Sequence, residues 1–185
     1  NKKLEKNNIY NKYASDLVEQ IQKMNNGKYL ENLVDPNKTN FCVGVGGYPE
    51  KHFEAQSMKS DIEKLKYKVD CGADYIVTQM FFDNKHYFNF VDQCNKIGIK
   101  IPIIPGIKIL SLERHLEALP KHFYLNLPKE LIKSVEGKSK SEIRVSGIDW
   151  AMSQIQELIE HGVPCIHLYI MSSAKSAAKV VSSFI

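Results

Sequence analysis

The sequence predicts an α/β fold in which parallel strands are joined by crossover helices. Short apolar segments of strand character alternate with longer segments whose apolar residues repeat at helical spacing. The order is one helix followed by four strand-then-helix units, and this order favours a parallel sheet. With 185 residues, the chain is long enough for one domain with a sizeable core.

The first half of the chain predicts two helices and two strands. Helical spacing of apolar residues indicates a first helix over residues 13–24, which the sequence Asn-Asn-Gly ends. Residues 41–46 read as a short buried strand that a Gly-Gly pair breaks. The next helix covers residues 57–71 and ends at Gly72, and residues 74–79 form the second strand.

The second half continues the same alternation. Its predicted elements are a helix capped by Asn84 and ended by Gly98, a strand over residues 101–104 stopped by Pro105 and Gly106, helices over residues 112–119, 129–135 and 141–161, a strand over residues 165–170, and a helix over residues 174–184.

Two architectures agree with this order, a doubly wound open sheet and half of a (β/α)₈ barrel. No G-x-G-x-x-G or Walker sequence follows a strand, which weakens the nucleotide-binding open sheet. A complete barrel takes about 250 residues, so four strands correspond to roughly half of one. Each predicted strand is followed by an irregular segment, at residues 46–50, 79–83, 105–108 and 171–173. In a barrel, the segments after the strands meet on the face where the active site is built.

Composition argues against several classes of function. The net charge of +4 comes from scattered lysines, which gives little support to nucleic-acid binding. No apolar run approaches the roughly 18–20 residues that cross a bilayer. The four cysteines lack metal-site spacing and lie in apolar-patterned segments, which predicts buried, reduced thiols and a cytoplasmic location; they are Cys42, Cys71, Cys94 and Cys165.

The loop after the first strand is the most informative candidate site. It carries Tyr48, His52 and two carboxylates directly before a helix start, where free N–H groups suit an anion such as a phosphate. The alternative is a solvated loop in which Ser57 merely caps the helix. Farther along that helix, Asp61 and the lysines at positions 64 and 68 lie near one face. They suit a ribose and a phosphate, or else simple exposed ion pairs.

Gln79 lies at the end of the second predicted strand, directly before three large apolar residues. A glutamine in this position suits a pocket that stacks a flat ligand and hydrogen-bonds to its edge. The alternative is a core strand with a satisfied side-chain amide.

Several of these segments resemble methylenetetrahydrofolate reductase of the bacterial type. The resemblance runs in one register from Tyr13 almost to the end of the chain and corresponds to the C-terminal half of that barrel. It is carried by Tyr48-Pro49-Glu50-Lys51-His52, by Thr78-Gln79-Met80-Phe81-Phe82-Asp83, and by residues 13–17, 68–74, 103–107 and 167–169.

The resemblance implies a flavin-dependent reduction of 5,10-methylenetetrahydrofolate to 5-methyltetrahydrofolate in one-carbon metabolism and methionine biosynthesis. FAD is the implied cofactor, NADH or NADPH the donor, and the complete enzyme is expected to be a homo-oligomer. Gln79 is implied to contact folate and nicotinamide in turn. The residues implied to line the FAD site are Ala14, Tyr48, His52, Ala55, Asp61, Lys64 and Lys68.

The same resemblance leaves the catalytic acid outside this chain, because the family's glutamate lies on an early strand. Residues 1–185 are therefore expected to form a single partial domain that lacks the N-terminal strands and is inactive alone. Ser173 stands where some members have a folate-binding arginine, for which Lys175 could substitute, and His115 replaces a glutamine. The alternative is a non-catalytic half-barrel that binds folate or a partner.

Overall fold

The computed structural model describes residues 11–170 and 174–185. Helices and strands alternate along this part of the chain as the sequence predicts. In chain order the elements are α1 (Ala14–Asn25), β1 (Gly44–Gly47), α2 (Met58–Asp70), β2 (Tyr75–Met80), α3 (Asn84–Lys96), β3 (Ile103–Ile107), α4 (His115–Phe123), α5 (Lys129–Val135), α6 (Lys140–Glu160), β4 (His167–Leu168) and α7 (Lys175–Val181).

The four strands form one parallel sheet in the sequential order β1-β2-β3-β4. A doubly wound sheet reverses its strand order at a switch point, and these four strands contain no reversal. Crossovers between parallel strands are nearly always right-handed, so a sequential order brings the helices to one face of the sheet. The fold class is therefore confirmed as α/β, in the arrangement of a partial (β/α)₈ barrel.

The two faces of the sheet differ in burial. On β2, Ile76 and Thr78 are fully buried, and Ile76 packs with apolar residues of α2 and α3. The alternate residues Tyr75, Val77 and Gln79 stay partly exposed. Gln79 thus shares the partial exposure of Tyr75 and Val77 and not the full burial of Ile76 and Thr78.

Helix α2 begins where the sequence predicts. The Ser57 hydroxyl accepts a hydrogen bond from Ser60 N at 3.1 Å, and the Ser60 hydroxyl contacts Ser57 N in return. This reciprocal cap provides hydrogen-bond partners for backbone amide groups that would otherwise lack them at the helix start. Gly72 follows the helix with a φ of +111°, a backbone conformation that other residues avoid.

Strand β3 corrects one prediction, because Pro105 and Gly106 lie inside the strand and do not stop it. The register between β2 and β3 shifts between Val77 and Met80, so β2 has an extra residue opposite Pro105. This bulge accommodates a proline, which has no N–H for the ladder. Gly106 N donates to Thr78 Oγ1 at 2.9 Å, and a Cβ on Gly106 would lie 2.3 Å from Thr78 O.

Other element boundaries also differ from expectation. Asp83, and not Asn84, caps α3 by accepting from Lys85 N, while the Asn84 amide donates to Gln154 O and to Glu157 Oε2. Helix α4 begins later than predicted and runs to residue 123, past an internal proline. Strands β1 and β4 are shorter than predicted.

The cysteines are less buried than their apolar surroundings suggested. All four are free thiols, but only Cys94 is buried, Cys71 is partly exposed, and Cys42 and Cys165 are exposed. The apolar residues next to each cysteine therefore did not predict whether its thiol is buried. Among the described residues, no helix is both long and apolar enough to span a membrane.

Candidate functional site

A cleft of about 670 Å³ lies between the start of α1, the loop after β1 and one face of α2. We refer to it as the α2 cleft. All seven residues that the sequence nominated for a cofactor site line it, namely Ala14, Tyr48, His52, Ala55, Asp61, Lys64 and Lys68. The same wall contains Tyr13, Ser15, Glu54, Ser60, Glu63 and Tyr67, which the sequence analysis did not nominate as cofactor residues.

The loop after β1 is held in shape by its own polar contacts. Asp61, from the first turn of α2, accepts a hydrogen bond from His52 N at 2.8 Å. Lys51 adopts a φ of +79°, and its ammonium group donates to His52 O and Ala55 O at 3.0 and 2.6 Å. The Tyr48 and His52 rings meet edge to face, with centroids 4.5 Å apart. The loop therefore presents both rings to the α2 cleft in one arrangement.

Lys68 brings a partly dehydrated positive charge to the α2 cleft. Its ammonium group donates to Gly46 O at 2.8 Å, which ties α2 to β1. Burial lowers the pKa of Lys68, and the negative charge of Asp61 opposes that shift. Burial, with Asp61 and Glu54 nearby, raises the pKa of Tyr48, so its hydroxyl is a neutral donor at pH 7. Such a site can bind an anionic group more strongly than an exposed lysine could.

Asp61, Lys64 and Lys68 on the face of α2 form no salt bridge with one another. The salt bridge recorded on this helix joins Lys66 and Asp70, which do not line the cleft. Within residues 11–170 and 174–185, no carboxylate lies within salt-bridge distance of Lys64 or Lys68. Neither lysine is therefore neutralised by an ion pair within the described part of the chain.

Glu50 ties the loop after β1 to Asn126, in the segment between α4 and α5, a role that the sequence analysis did not assign. Its Oε2 accepts from Asn126 N at 2.8 Å and from Asn126 Nδ2 at 2.7 Å, and His86 Nε2 lies 3.6 Å away. The Glu50 side chain is only 7% exposed, and its Oε1 is buried with no hydrogen-bond partner. No local pattern could have revealed a contact between residues 76 positions apart.

Gln79 lies at the end of β2, but it is not among the residues that line the α2 cleft. Its Oε1 accepts a hydrogen bond from Met80 N at 3.0 Å. Among the described residues its side-chain NH₂ group has no recorded partner. The structure therefore brings the seven cofactor candidates together and keeps Gln79 apart from them.

A second cavity, of about 680 Å³, lies at the carboxyl ends of β3 and β4. We refer to it as the β3–β4 cavity. It contains His115, whose Nδ1 accepts from Ser111 N at 3.4 Å, and Lys108, whose ammonium group donates to Tyr169 O at 3.1 Å. Ser173, which the sequence analysis also placed near the substrate, is outside the described residues.

Comparison with solved structures supports the fold. An uncharacterized protein from Clostridium thermocellum that binds two copies of 5-methyl-5,6,7,8-tetrahydrofolic acid superposes with a TM-score of 0.55. The match covers 76% of this chain and 51% of that one, at 18% sequence identity. At this identity the likeness speaks for the fold alone.

Sequence comparison identifies the family. Methylenetetrahydrofolate reductase (NADH) 1 of Arabidopsis thaliana is 36% identical over 76% of this chain and 26% of its own length. The 5,10-methylenetetrahydrofolate reductase of Pectobacterium carotovorum is 30% identical over 88% of this chain and 51% of its own. The chain thus spans about a quarter to a half of these relatives. The methylenetetrahydrofolate reductase family pattern matches residues 1–184, and the chain belongs to that family.

Proposed function

We propose that the protein containing this chain reduces 5,10-methylenetetrahydrofolate to 5-methyltetrahydrofolate, with FAD as cofactor and NADH or NADPH as donor. This reaction would serve one-carbon metabolism and methionine biosynthesis in the cytoplasm, in a homo-oligomeric enzyme. The observation that carries the proposal is the convergence of seven family-matched residues on the α2 cleft. The names of the curated relatives, which specify a nicotinamide donor in some cases, support it.

The residues of the α2 cleft fit a flavin dinucleotide. Lys68 offers a partly dehydrated positive charge for a phosphate, and Asp61 offers carboxylate lone pairs for a ribose hydroxyl. The small side chains of Ala14 and Ala55 leave room for a flat ring to approach the backbone. When bound, the flavin would supply the hydride-carrying chemistry, while the protein binds and orients it.

Gln79 is proposed to bind the substrates and not the cofactor. It is partly exposed and lies at the carboxyl end of β2, where barrel enzymes position substrate. Its side-chain NH₂ group has no recorded partner among the described residues and could donate to a folate or nicotinamide edge. Two substrates that use one such position in turn imply ping-pong kinetics.

No residue of this chain is proposed as the catalytic acid. Glu50 is engaged with Asn126, and Glu54 lines the α2 cleft, so neither is assigned the proton that opens the folate ring. In the described part of the chain, β1 and β4 each pair with one neighbouring strand. An eight-stranded barrel would pair both edges and would supply strand ends for an acid. We therefore propose a partial-barrel domain that acts within a complete barrel.

Reconstitution of the full natural protein with FAD tests the proposal. The expected result is a yellow holoprotein that oxidises NADH or NADPH with an electron acceptor and then transfers reducing equivalents to methylenetetrahydrofolate. Gln79→Ala should reduce folate turnover while flavin stays bound. A pure protein that binds folate but never retains flavin would contradict the proposal and favour a non-catalytic folate-binding half-barrel.

A further inference from the structure

A third cavity, of about 330 Å³, lies where the start of α3 meets the start of α5 and the second half of α6. We refer to it as the α3–α6 cavity. It shares no described lining residue with the α2 cleft or the β3–β4 cavity. Small-molecule pockets range from about 300 to 1,000 Å³, so this cavity suits a small ligand. Its walls include Asp83, Asn84, Glu130, Trp150, Gln154 and Glu157.

The charged residues that line the α3–α6 cavity are all acidic. Asp83 caps α3, Glu130 lies in the first turn of α5 and Glu157 lies near the end of α6, and the described lining residues include no Lys, Arg or His. Within residues 11–170 and 174–185, none of the three carboxylates has a recorded salt bridge. The β3–β4 cavity has the opposite lining, with Lys108, Arg114, His115, Lys140 and Arg144 and no carboxylate among its described lining residues.

The three carboxylates of the α3–α6 cavity do not converge on one point. In the part of the chain that the structure describes, no group of three His, Cys, Asp or Glu side chains could hold a metal ion. A cation that neutralises several of these carboxylates must therefore extend along the wall. This arrangement favours an elongated organic cation with more than one charge over a single metal ion.

A hydrogen-bond network fixes one wall of the α3–α6 cavity. The Asn84 amide group donates to Gln154 O at 3.0 Å and to Glu157 Oε2 at 2.6 Å. Asn84 Oδ1 in turn accepts from Gln154 Nε2 at 3.2 Å, and Gln154 Nε2 also donates to Phe81 O at 3.3 Å. Because each NH₂ group faces only acceptors, the contacts define the orientation of both side-chain amides.

The same network leaves one acceptor of Gln154 without a donor. Gln154 is only 5% exposed, and its Oε1 is buried with no hydrogen-bond partner. Reversing the amide would not help, because it would turn Oε1 towards the carbonyl oxygen of Phe81. A buried polar atom without a partner is costly, and each such atom in a native structure calls for an explanation. A ligand that carries N–H groups would supply the missing donor.

Trp150 adds an aromatic ring to the wall of the α3–α6 cavity. Its Nε1 donates to Phe82 O at 3.0 Å, and this hydrogen bond holds the indole in place. Indole is the aromatic ring that attracts cations most strongly. The cavity therefore combines acidic side chains, an aromatic ring and an unpartnered acceptor, all of which favour a cation with N–H donors.

We propose that the α3–α6 cavity binds a linear alkyl diamine in its diammonium form. One ammonium group donates to Gln154 Oε1, and the two positive charges face the three carboxylates of the wall. The inference is independent of the proposed function, because the cavity contains none of the residues assigned to cofactor or folate.

Calorimetric titration of the full natural protein with putrescine at low salt tests this site. We expect saturable binding, weakened roughly two- to fivefold in Glu130→Gln and in Glu157→Gln, as for the loss of one exposed ion pair. Both residues are exposed, and a glutamine at position 157 keeps an acceptor for Asn84. Glu160→Gln is the matched control, because Glu160 is exposed on the same helix and lies outside the cavity. It removes the same charge and should leave the affinity unchanged.

The flavin content and folate turnover of these variants should match those of the natural protein, so a failure of this inference is separable from a failure of the proposed function. Equal putrescine affinity in the natural protein and in the Glu130 and Glu157 variants would overturn the site. An equal loss in Glu160→Gln would also overturn it, because the binding would then reflect only the general charge of the protein surface.

Three competing ligands test the chemistry of the site. The fully N-methylated analogue of putrescine has the same two charges but no N–H group, and it should bind severalfold more weakly. Equal affinity would show that Gln154 Oε1 is not the acceptor and would overturn the proposal. Nα-acetyl-lysine amide represents a lysine side chain of a partner protein, and tighter binding than that of putrescine would overturn the diamine assignment. Displacement of putrescine by an equal concentration of Mg²⁺ would overturn it in favour of a metal site.

Discussion

The α2 cleft and the β3–β4 cavity have almost the same volume, about 670 and 680 Å³, but they are built differently. The α2 cleft mixes charges, with Asp61 near Lys68, and hydrogen bonds within its own loop and helix hold it. The β3–β4 cavity has cations of one sign that come from distant segments. The α2 cleft is thus organised by short-range contacts among its own residues, while the lining of the β3–β4 cavity creates a positive local field.

The largest expected effect comes from Gly147→Ala, which should damage the β3–β4 cavity and spare the α2 cleft. Gly147 lies on α6, and a Cβ there would lie 1.7 Å from Leu110 O, a backbone atom of the segment after β3. Helix α6 would have to move away from that segment, at a cost of about 3 kcal/mol in the free energy of unfolding. Denaturant-induced unfolding measures this cost. The flavin content of the purified variant shows whether the α2 cleft is intact.

Val145→Ala is the control for that substitution, because this residue is exposed on the same helix. It should change the free energy of unfolding by about 0.5 kcal/mol or less. If Gly147→Ala also removed flavin from the α2 cleft, the two cavities would not be independent and the comparison would fail.

The next largest effect is expected from Lys68→Ala in the α2 cleft. This change removes the ammonium contact with Gly46 O and the partly dehydrated charge proposed to meet a phosphate. Flavin affinity should fall by about 2 kcal/mol, or roughly thirtyfold, as for other hydrogen bonds to charged groups. Equilibrium dialysis of FAD against the apoprotein measures it.

Lys66→Ala provides a matched control on the same helix. Lys66 pairs with Asp70 at the surface and does not line the cleft, so flavin affinity should be unchanged. Equal losses in the two variants would show that the effect comes from α2 stability and not from contact with the cofactor.

A smaller effect is expected from Glu50→Gln, which weakens the anchor of the loop that carries Tyr48 and His52. Its Oε2 accepts two hydrogen bonds from Asn126, and a neutral amide would make weaker ones or point an NH₂ group at these donors. We expect a loss of about 1–2 kcal/mol in the free energy of unfolding, with faster flavin dissociation. A double-mutant cycle with Asn126→Ala should show coupling, and purely additive effects would contradict the anchoring role.

The sequence predicts the α2 cleft better than the β3–β4 cavity for a physical reason. The cleft is built largely from one loop and the helix after it, so helical spacing and a local motif bring Tyr48, His52 and Lys68 together. The cations of the β3–β4 cavity and the Glu50–Asn126 contact depend on tertiary packing, which no local pattern encodes. The same limit explains β3, where a bulge in the neighbouring strand accommodates Pro105.

The smallest expected effect concerns the protonation of His115 and tests the charge of the β3–β4 cavity directly. In the free protein, burial and then the charges of Lys108 and Arg114 hold the pKa of His115 below its usual value of about 6.5. A lowered histidine pKa means that the unfolded chain takes up its proton first as pH falls. The stability that neutral His115 contributes is therefore complete above pH 6.5 and is lost as pH falls from there towards the folded-state pKa.

An anion bound in the β3–β4 cavity should oppose that shift in the pKa of His115, because negative charge beside the imidazole favours its protonated form. An NMR pH titration of His115 should give a higher midpoint with a saturating concentration of a polycarboxylate such as citrate than without it. His122 lies exposed on α4 and outside the cavity, so its resonances at a fixed pH provide the internal reference for effects of the added anion. A midpoint for His115 that is the same with and without the polycarboxylate would mean that the anion does not bind among these cations. The two cavities would then differ in their lining residues but not in the charge of the ligands that they bind.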